Sequence, residues 1–188
     1  MVEGSAEWSV SGIVRTMLPL LCVLTAIELV SGLVLESFEA TLLAAPSLLL
    51  LVPVTIGMGG NLGSVLAARL STALHLGLLS FSPTDDRLAG NAVATIGLSL
   101  TVFPLVGAGA WGLTAFVGET GLTLATVVLI ALLSGLVLSV LAVVVTVVTT
   151  YAAYRYRLDP DDVVVPVVTN VCDVLGVLVL FGVYWVVA

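Results

Sequence analysis

Five long apolar stretches restrict what this chain can fold into more than any other feature. They cover residues 17–35, 47–68, 88–106, 121–150 and 163–187. A helix needs ~20 residues to cross the roughly 30 Å hydrocarbon core of a bilayer, and each stretch meets that length. With 60% hydrophobic and 9% charged residues, the chain of 188 residues carries more apolar surface than a water-soluble domain of its size can bury. We therefore expect an all-α integral membrane protein with five transmembrane helices, embedded in the lipid bilayer.

Arginine placement predicts the orientation of these helices. When the N-terminus lies in the cytoplasm, every arginine falls on the cytoplasmic side: Arg15, Arg69, Arg87, Arg155 and Arg157. The connections on the opposite side, residues 37–46 and 107–120, contain only acidic charges, at Glu39 and Glu119. Because basic residues are retained on the cytoplasmic side, we expect a multi-pass protein of the cell (plasma) membrane with its N-terminus cytoplasmic and its C-terminus outside.

The charge and the residue content argue against two classes of function, nucleic-acid binding and catalysis. The net charge of −7, with no lysine, argues against nucleic-acid binding, which requires a basic face. The lone histidine, His75, lies at the end of an apolar stretch, and the sequence has no catalytic Gly-x-Ser-x-Gly or His-Glu-x-x-His motif, so we do not expect an enzyme. Cys22 and Cys172 both lie within apolar stretches and are expected to be buried free thiols.

One acid, Asp173, lies near the middle of the otherwise uncharged stretch 163–187. A charged side chain at the centre of a membrane-spanning helix costs roughly 2.5–3.5 kcal/mol on insertion scales, so by default it marks a functional site. Thr169 and Asn170 precede it by four and three residues and therefore share its helix face. The alternative interpretation is a hydrogen bond that only holds the helices together.

The second apolar stretch contains a run of glycines, Gly57-Met-Gly-Gly-Asn61-Leu-Gly63. Such a run normally ends a helix, and irregular backbone within a membrane must be buried in protein or line a water-filled cavity. The carbonyls of an unwound segment are natural ligands for a cation. We expect Gly57, Gly60 and Asn61 to line an ion pathway, with close helix packing through Gly59 and Gly63 as the alternative.

These two polar segments are expected to lie at the same depth. Residues 57–61 lie ~10–14 residues, or about 15–21 Å, into the second stretch, at a helical rise of 1.5 Å per residue. Asp173 lies about ten residues, or about 15 Å, into the fifth stretch, which enters from the opposite side. Both positions are near the midplane, so the two segments can meet. Their candidate ligands are all oxygens, which favours a hard cation over zinc or copper. The small number of carboxylates per chain suits Mg²⁺, which is usually held partly through its waters.

Three motifs occur together in the chain: Pro53 to Gly63, Asp159-Pro160, and Val168-Thr-Asn-Val-Cys-Asp173-Val-Leu-Gly176. Together they resemble the MgtE-type magnesium channels and their eukaryotic solute-carrier relatives, over essentially the whole chain. The resemblance covers a single transmembrane domain over residues 1–188, and we expect no soluble regulatory domain, because the longest polar stretches are short loops. It also implies a magnesium (divalent cation) channel or transporter that forms a parallel homodimer, with a pore at the two-fold axis that the second and fifth spans line.

The resemblance further implies which residues hold the ion. A hydrated Mg²⁺, the transported ion, is expected near Asp173 with Thr169 and Asn170, and with the second-span segment that contains Gly57, Gly60 and Asn61.

Two other acids are candidate metal ligands. Asp159 matches a family acid near the inner mouth of the pore, whereas a solvated loop is the alternative. Glu28, in the middle of the first stretch, is either a further ligand or an acid paired with a neighbour. Two other functions are open alternatives: a Na⁺- or H⁺-coupled exporter of divalent cations, and one subunit of a heteromeric transporter formed with a similar partner chain.

Overall fold

The structure, a computed structural model, describes residues 10–82, 84–118 and 121–188, apart from the side chain of Thr16. Glu119 and the N-terminal residues before Val10 therefore lie outside the described residues. Within the described residues, the regular elements are six helices: α1 (Val10–Ser37), α2 (Glu39–Ala44), α3 (Pro46–His75), α4 (Asp86–Val117), α5 (Leu124–Tyr156) and α6 (Pro160–Val187).

All of these helices except α2 are long and apolar enough to cross a membrane. This confirms the predicted all-α architecture with five candidate transmembrane helices. Each helix continues past at least one end of its apolar stretch, whereas α5 begins at Leu124, three residues inside the stretch 121–150. The side of the membrane on which the N-terminus lies stays a prediction.

The connections between the helices differ from the expected ones. We expected residues 107–120 to form a connection, but α4 continues to Val117 and ends where Gly118 adopts a left-handed φ of 88°. The added turns pack inside the bundle: Gly107, Ala110 and Thr114 are buried, and a Cβ atom added at Gly107 would lie 2.8 Å from the Ala131 Cβ. In the connection over residues 37–46, the short helix α2 was not predicted.

The helices differ in how much of their surface the chain itself covers. α3 packs against α4, α5 and α6, and α5 packs against both α4 and α6. α1 lies at the periphery, where it contacts α6 and α2. Cys22 on α1 is therefore exposed, which corrects the expectation that it is buried, whereas Cys172 on α6 is buried. Both thiols are free, as predicted.

Two aromatic rings define one end of the bundle. The Phe38 ring, directly after α1, stacks on the Phe181 ring near the end of α6, with centroids 3.9 Å apart and planes 6° from parallel. α1 and α6 therefore run in the same direction. Because the long helices alternate along the chain, all five arginines lie toward the opposite end, which we call the arginine end.

Hydroxyl pairs join the helices inside the bundle. The Ser47 hydroxyl on α3 lies 2.8 Å from the Thr114 hydroxyl on α4, and the Ser99 hydroxyl on α4 donates to the Ser139 hydroxyl on α5 at 2.9 Å. In hydrocarbon no water competes for these groups, so polar side chains between helices stabilise the packing.

Candidate functional site

Asp173 lies where α6 crosses α3. A Cβ atom added at Gly60 would lie 3.3 Å from Asp173 Oδ1 and 3.8 Å from the Cα and Cβ of Thr169. Any side chain larger than hydrogen at position 60 would therefore press on the carboxylate. The structure thus brings the glycine run and the acid to one depth, as the linear distances along the two helices predict.

Neighbouring glycines make this close approach possible. A side chain at Gly63 would clash with Val168, and a Cβ atom at Gly176 would lie 3.3 Å from the Ile56 Cα. The α3–α6 crossing therefore contains small residues on both helices, an arrangement that lets transmembrane backbones come together.

The glycine run does not unwind α3, which corrects the expectation of an irregular backbone. The helix is continuous from Pro46 to His75 and includes Gly57, Gly60 and Asn61. Breaking it would leave peptide groups unsatisfied in hydrocarbon, whereas the glycines meet neighbouring helices without breaking it. Gly59 faces Leu138 of α5, and Gly60 faces α6. The glycines that face other helices therefore allow close helix packing, as the alternative interpretation predicts.

Thr169 and Asn170 flank the Asp173 carboxylate, but their side chains donate hydrogen bonds to carbonyl groups of their own helix. The Thr169 hydroxyl donates to the carbonyls of Val165 and Pro166, each at 3.1 Å, and the Asn170 amide donates to the Pro166 carbonyl at 3.0 Å. Within the described part of the chain, no hydrogen bond to the half-buried Asp173 carboxylate is formed. The lone pairs of the Thr169 hydroxyl and the Asn170 side-chain carbonyl remain available to a ligand.

Glu28 on α1 adds a second negative charge. Its carboxylate is close enough to Asp173 for the two charges to repel each other. The basic residue on the same helix, Arg15, lies roughly 20 Å away along the helix axis, at 1.5 Å per residue. Like charges in a low-dielectric region repel strongly, so a cation between the two carboxylates would relieve the repulsion.

One face of α3 is left uncovered by the other residues that the structure describes. Gly57 and Asn61 lie four residues apart and are both exposed, and a Cβ atom added at Gly57 would have no neighbour within 4 Å. Val54 and Val65, about one turn to either side, are 38% and 57% exposed. The face therefore presents an amide side chain at mid-helix between apolar residues.

At the arginine end, Asp159 belongs to a separate group of possible metal ligands. One ligand atom from each of Asp159, Asp161 and His75 lies within 4.8 Å of the others, and all three residues are exposed. Asp161 Oδ1 accepts a 2.6 Å hydrogen bond from the Ser71 hydroxyl, and His75 Nδ1 lies 3.1 Å from the Ser71 carbonyl. Asp159 also caps α6 by accepting from the Asp161 N–H at 3.0 Å.

Sequence reasoning did not connect His75 with these acids. The histidine ends α3 and the acids begin α6, so more than eighty residues separate them in the chain. The predicted contact between the glycine run and Asp173 was the one signal from which this proximity could have been inferred. Once α3 and α6 are antiparallel neighbours, the last turn of one helix must lie beside the first turn of the other.

The arrangement agrees with the comparisons with known proteins. Residues 52–183 match the sequence model of the MgtE family, which is described as a divalent cation transporter. Comparison with curated proteins gave no match. The matched segment covers most of the chain and includes both Gly60 and Asp173. The chain therefore belongs to the MgtE family of divalent cation transporters.

Proposed function

We propose that this chain moves hydrated Mg²⁺ across the plasma membrane through a site centred on Asp173. Thr169 and Asn170 flank the ion on α6, and Gly57, Gly60 and Asn61 form the α3 side of the site. Two copies of the chain, related by a two-fold axis, place these helices around one pathway.

The observation that carries this proposal is the unpaired state of Asp173. Its carboxylate accepts no hydrogen bond within the described residues, while Glu28 adds a second charge of the same sign. Isolated carboxylates in a bilayer are costly, and a cation shared between them removes that cost. A divalent ion balances the two acids of one chain.

The chemistry of the site favours magnesium. The candidate ligands are carboxylate, hydroxyl and amide oxygens, which hard cations prefer. Mg²⁺ dehydrates reluctantly and keeps several of its waters, so one or two carboxylates suffice to hold it. Because Gly60 has no side chain, the α3 backbone lies close to Asp173 without displacing its carboxylate.

The uncovered face of α3 supports the two-copy arrangement. Asn61 exposes an amide at a depth where lipid offers no hydrogen-bond partner, although Val54 and Val65 on the same face suit lipid. A second copy, or the water of a pore between two copies, satisfies that amide. Closed two-fold symmetry is also the commonest form of self-association.

The inner mouth provides a second cation position in this proposal. Asp159 and Asp161 bring two negative charges to His75 at the arginine end. With Nδ1 of His75 turned to the Ser71 carbonyl, Nε2 is the nitrogen that can bind a metal ion. An ion held here would lie at the start of α6, on the helix that carries Asp173.

Magnesium uptake by protein-containing liposomes tests the proposal. We expect wild-type protein to take up Mg²⁺ and Asp173→Asn, which keeps the size and removes the charge, to fall to the level of protein-free liposomes. Asp86→Asn, an exposed acid on α4, is the matched control and should retain uptake. Full uptake by Asp173→Asn would refute the proposal.

The same liposomes distinguish a channel from an exchanger. We expect uptake to follow the Mg²⁺ gradient and the membrane potential alone. Uptake that strictly requires an opposing Na⁺ or H⁺ gradient would instead establish a coupled exporter. Mass measurement of the detergent-extracted complex should give two copies of this chain, and a different partner chain would establish a heteromeric transporter.

A further inference from the structure

A basic pocket lies at the arginine end, between the last turns of α3 and the first turns of α4. Its volume is about 390 Å³, and Arg69, Thr72, Arg87 and Asn91 are among the residues that line it. This pocket is separate from the candidate ion site, because the described residues that line it include no residue of α6 and no carboxylate.

Two of the five cationic residues of the chain converge on this pocket. Arg69 donates to Asn91 Oδ1 at 3.0 Å, and the Asn91 amide donates to the Arg87 carbonyl at 2.8 Å. Asn91 therefore holds the Arg69 guanidinium against α4. The pocket concentrates positive charge in a chain whose net charge is −7.

The nearest acids in sequence do not neutralise this charge. Asp85 accepts hydrogen bonds from the backbone N–H and the hydroxyl of Ser80, at 2.8 and 2.9 Å, and from the N–H groups that begin α4. Asp86 does not line the pocket. Arg69 and Arg87 therefore line the pocket with no carboxylate beside them among the described lining residues, which favours an anionic ligand.

The position of the pocket indicates what kind of anion it would meet. Arg69 directly follows the apolar stretch 47–68, and Arg87 directly precedes the stretch 88–106. Both arginines thus lie where hydrocarbon gives way to lipid headgroups. Leu76 and Leu78, which also line the pocket, are 65% and 44% exposed and offer an apolar surface beside the charges. A ligand with an anionic head and an apolar tail fits both parts.

We propose that this pocket binds the phosphate headgroup of an anionic phospholipid. Guanidinium groups bind phosphate oxygens through paired, charge-assisted hydrogen bonds, and basic pockets between transmembrane helices bind anionic headgroups. Arg69 and Arg87 hold the phosphate, Thr72 offers a hydroxyl, and Leu76 and Leu78 contact the first part of an acyl chain. The proposal does not depend on the transported ion.

Lipid retention measures this binding. Purified protein is exchanged into bilayer discs of phosphatidylcholine and phosphatidylglycerol, and the lipids that stay bound after extraction are quantified by native mass spectrometry. We expect phosphatidylglycerol to be enriched on wild-type protein. The double variant Arg69→Gln, Arg87→Gln should lose about thirtyfold in affinity, since each arginine near an anionic surface contributes about fivefold.

Two further variants distinguish binding at this pocket from nonspecific attraction of the lipid to the basic end of the bundle. Arg155→Gln removes an arginine from the same end of the bundle but outside the pocket lining, and it should retain phosphatidylglycerol. Arg69→Lys, Arg87→Lys keeps the charge and should retain part of the binding. Thermal unfolding midpoints equal to that of wild-type protein show that neither double variant has misfolded. Equal loss in Arg155→Gln, or no enrichment on wild-type protein, would overturn the proposal.

A soluble anion shares the phosphate chemistry but not the acyl chain. Inorganic phosphate and glycerol phosphate at millimolar concentration should leave bound phosphatidylglycerol in place. Leu78→Ser should weaken lipid retention. Complete displacement by inorganic phosphate, with no effect of Leu78→Ser, would show that the pocket takes a soluble anion and that the lipid assignment is wrong.

Discussion

Two of the helix crossings that depend on glycine, α4–α5 and α3–α6, differ in the polar groups that they enclose. At the α4–α5 crossing, a side chain at Gly135 would clash with the Phe103 ring, and the Ser99 and Ser139 hydroxyls pair with each other. At the α3–α6 crossing, Gly60 faces the carboxylate of Asp173, which has no such partner within the described residues. Small residues bring helices together at both crossings. Of these two crossings, only α3–α6 contains a carboxylate that a cation can neutralise. Substitutions at α4–α5 therefore test packing, and substitutions at α3–α6 test transport.

Overpacking the α4–α5 crossing should have the largest effect on stability. Gly135→Ala places a Cβ atom inside contact distance of the fully buried Phe103 ring, and such strain costs about 1–3 kcal/mol. We expect a lower thermal unfolding midpoint in detergent. Gly97→Ala, also on a transmembrane helix but with no neighbour within 4 Å, is the matched control and should leave the midpoint unchanged. Recovery in Gly135→Ala, Phe103→Leu would establish the ring as the cause, and an unchanged midpoint in Gly135→Ala would contradict this packing.

A methyl group at the other crossing should affect transport more than folding. In Gly60→Ala, the new Cβ would lie 3.3 Å from Asp173 Oδ1, so the carboxylate must shift. We expect Mg²⁺ uptake to fall roughly tenfold, equivalent to about 1.4 kcal/mol, with a nearly normal unfolding midpoint. Gly97→Ala is again the control. Equal Mg²⁺ uptake by the two variants would show that Gly60 is not part of the ion site.

Removing the hydroxyl pair of the α4–α5 crossing should have a smaller effect. In Ser99→Ala, the Ser139 hydroxyl keeps its bond to the Leu136 carbonyl at 2.9 Å, so no group is left unpaired. Interhelical hydrogen bonds in membranes contribute about 0.6 kcal/mol on average. We expect a slight fall in the unfolding midpoint and no change in Mg²⁺ uptake. A loss of uptake would mean that this crossing also belongs to the ion pathway.

The smallest effect is expected at the exposed start of α4. Hydrogen bonds from the Ser80 N–H and hydroxyl hold the pKa of Asp85 at about 2, below its ordinary 3.8. Because the pKa is lowered in the folded state, the stabilisation is present above pH 3.8 and is lost as the pH falls through about 2.

Asp85→Asn isolates that contribution. Amide exchange at Arg87 and Leu88, which donate to Asp85, should show faster opening below pH 3 in wild-type protein relative to its value at pH 5. The variant should lack this acid-dependent step and keep normal Mg²⁺ binding at neutral pH. An identical pH dependence in both proteins would exclude Asp85 as its source.

Much of the candidate site could be predicted from helix geometry. Two helices that enter from opposite sides, with polar residues at equal depth, bring Gly60 and Asp173 together through the constant helical rise. The family membership was likewise predicted from the motifs around these two residues and is confirmed by the match over residues 52–183.

Other features depended on tertiary packing and could not be read from local pattern. The glycine run suggests a break in α3, but in hydrocarbon the loss of backbone hydrogen bonds outweighs the weak helix propensity of glycine. The proximity of Glu28 to Asp173 and of His75 to Asp161 depends on which helices become neighbours. The extension of α4 past residue 106 likewise accompanies tertiary packing, in which Gly107, Ala110 and Thr114 are buried.

The central claim, that Asp173 at the α3–α6 crossing holds the transported cation, is tested most directly by calorimetric Mg²⁺ titration. The titration uses a chain in which the mouth acids are neutralised, Asp159→Asn with Asp161→Asn, so that the central site alone is measured. We predict that this background binds Mg²⁺ and that adding Asp173→Asn abolishes the binding, whereas adding Asp86→Asn does not. Unchanged Mg²⁺ binding after Asp173→Asn would contradict the account.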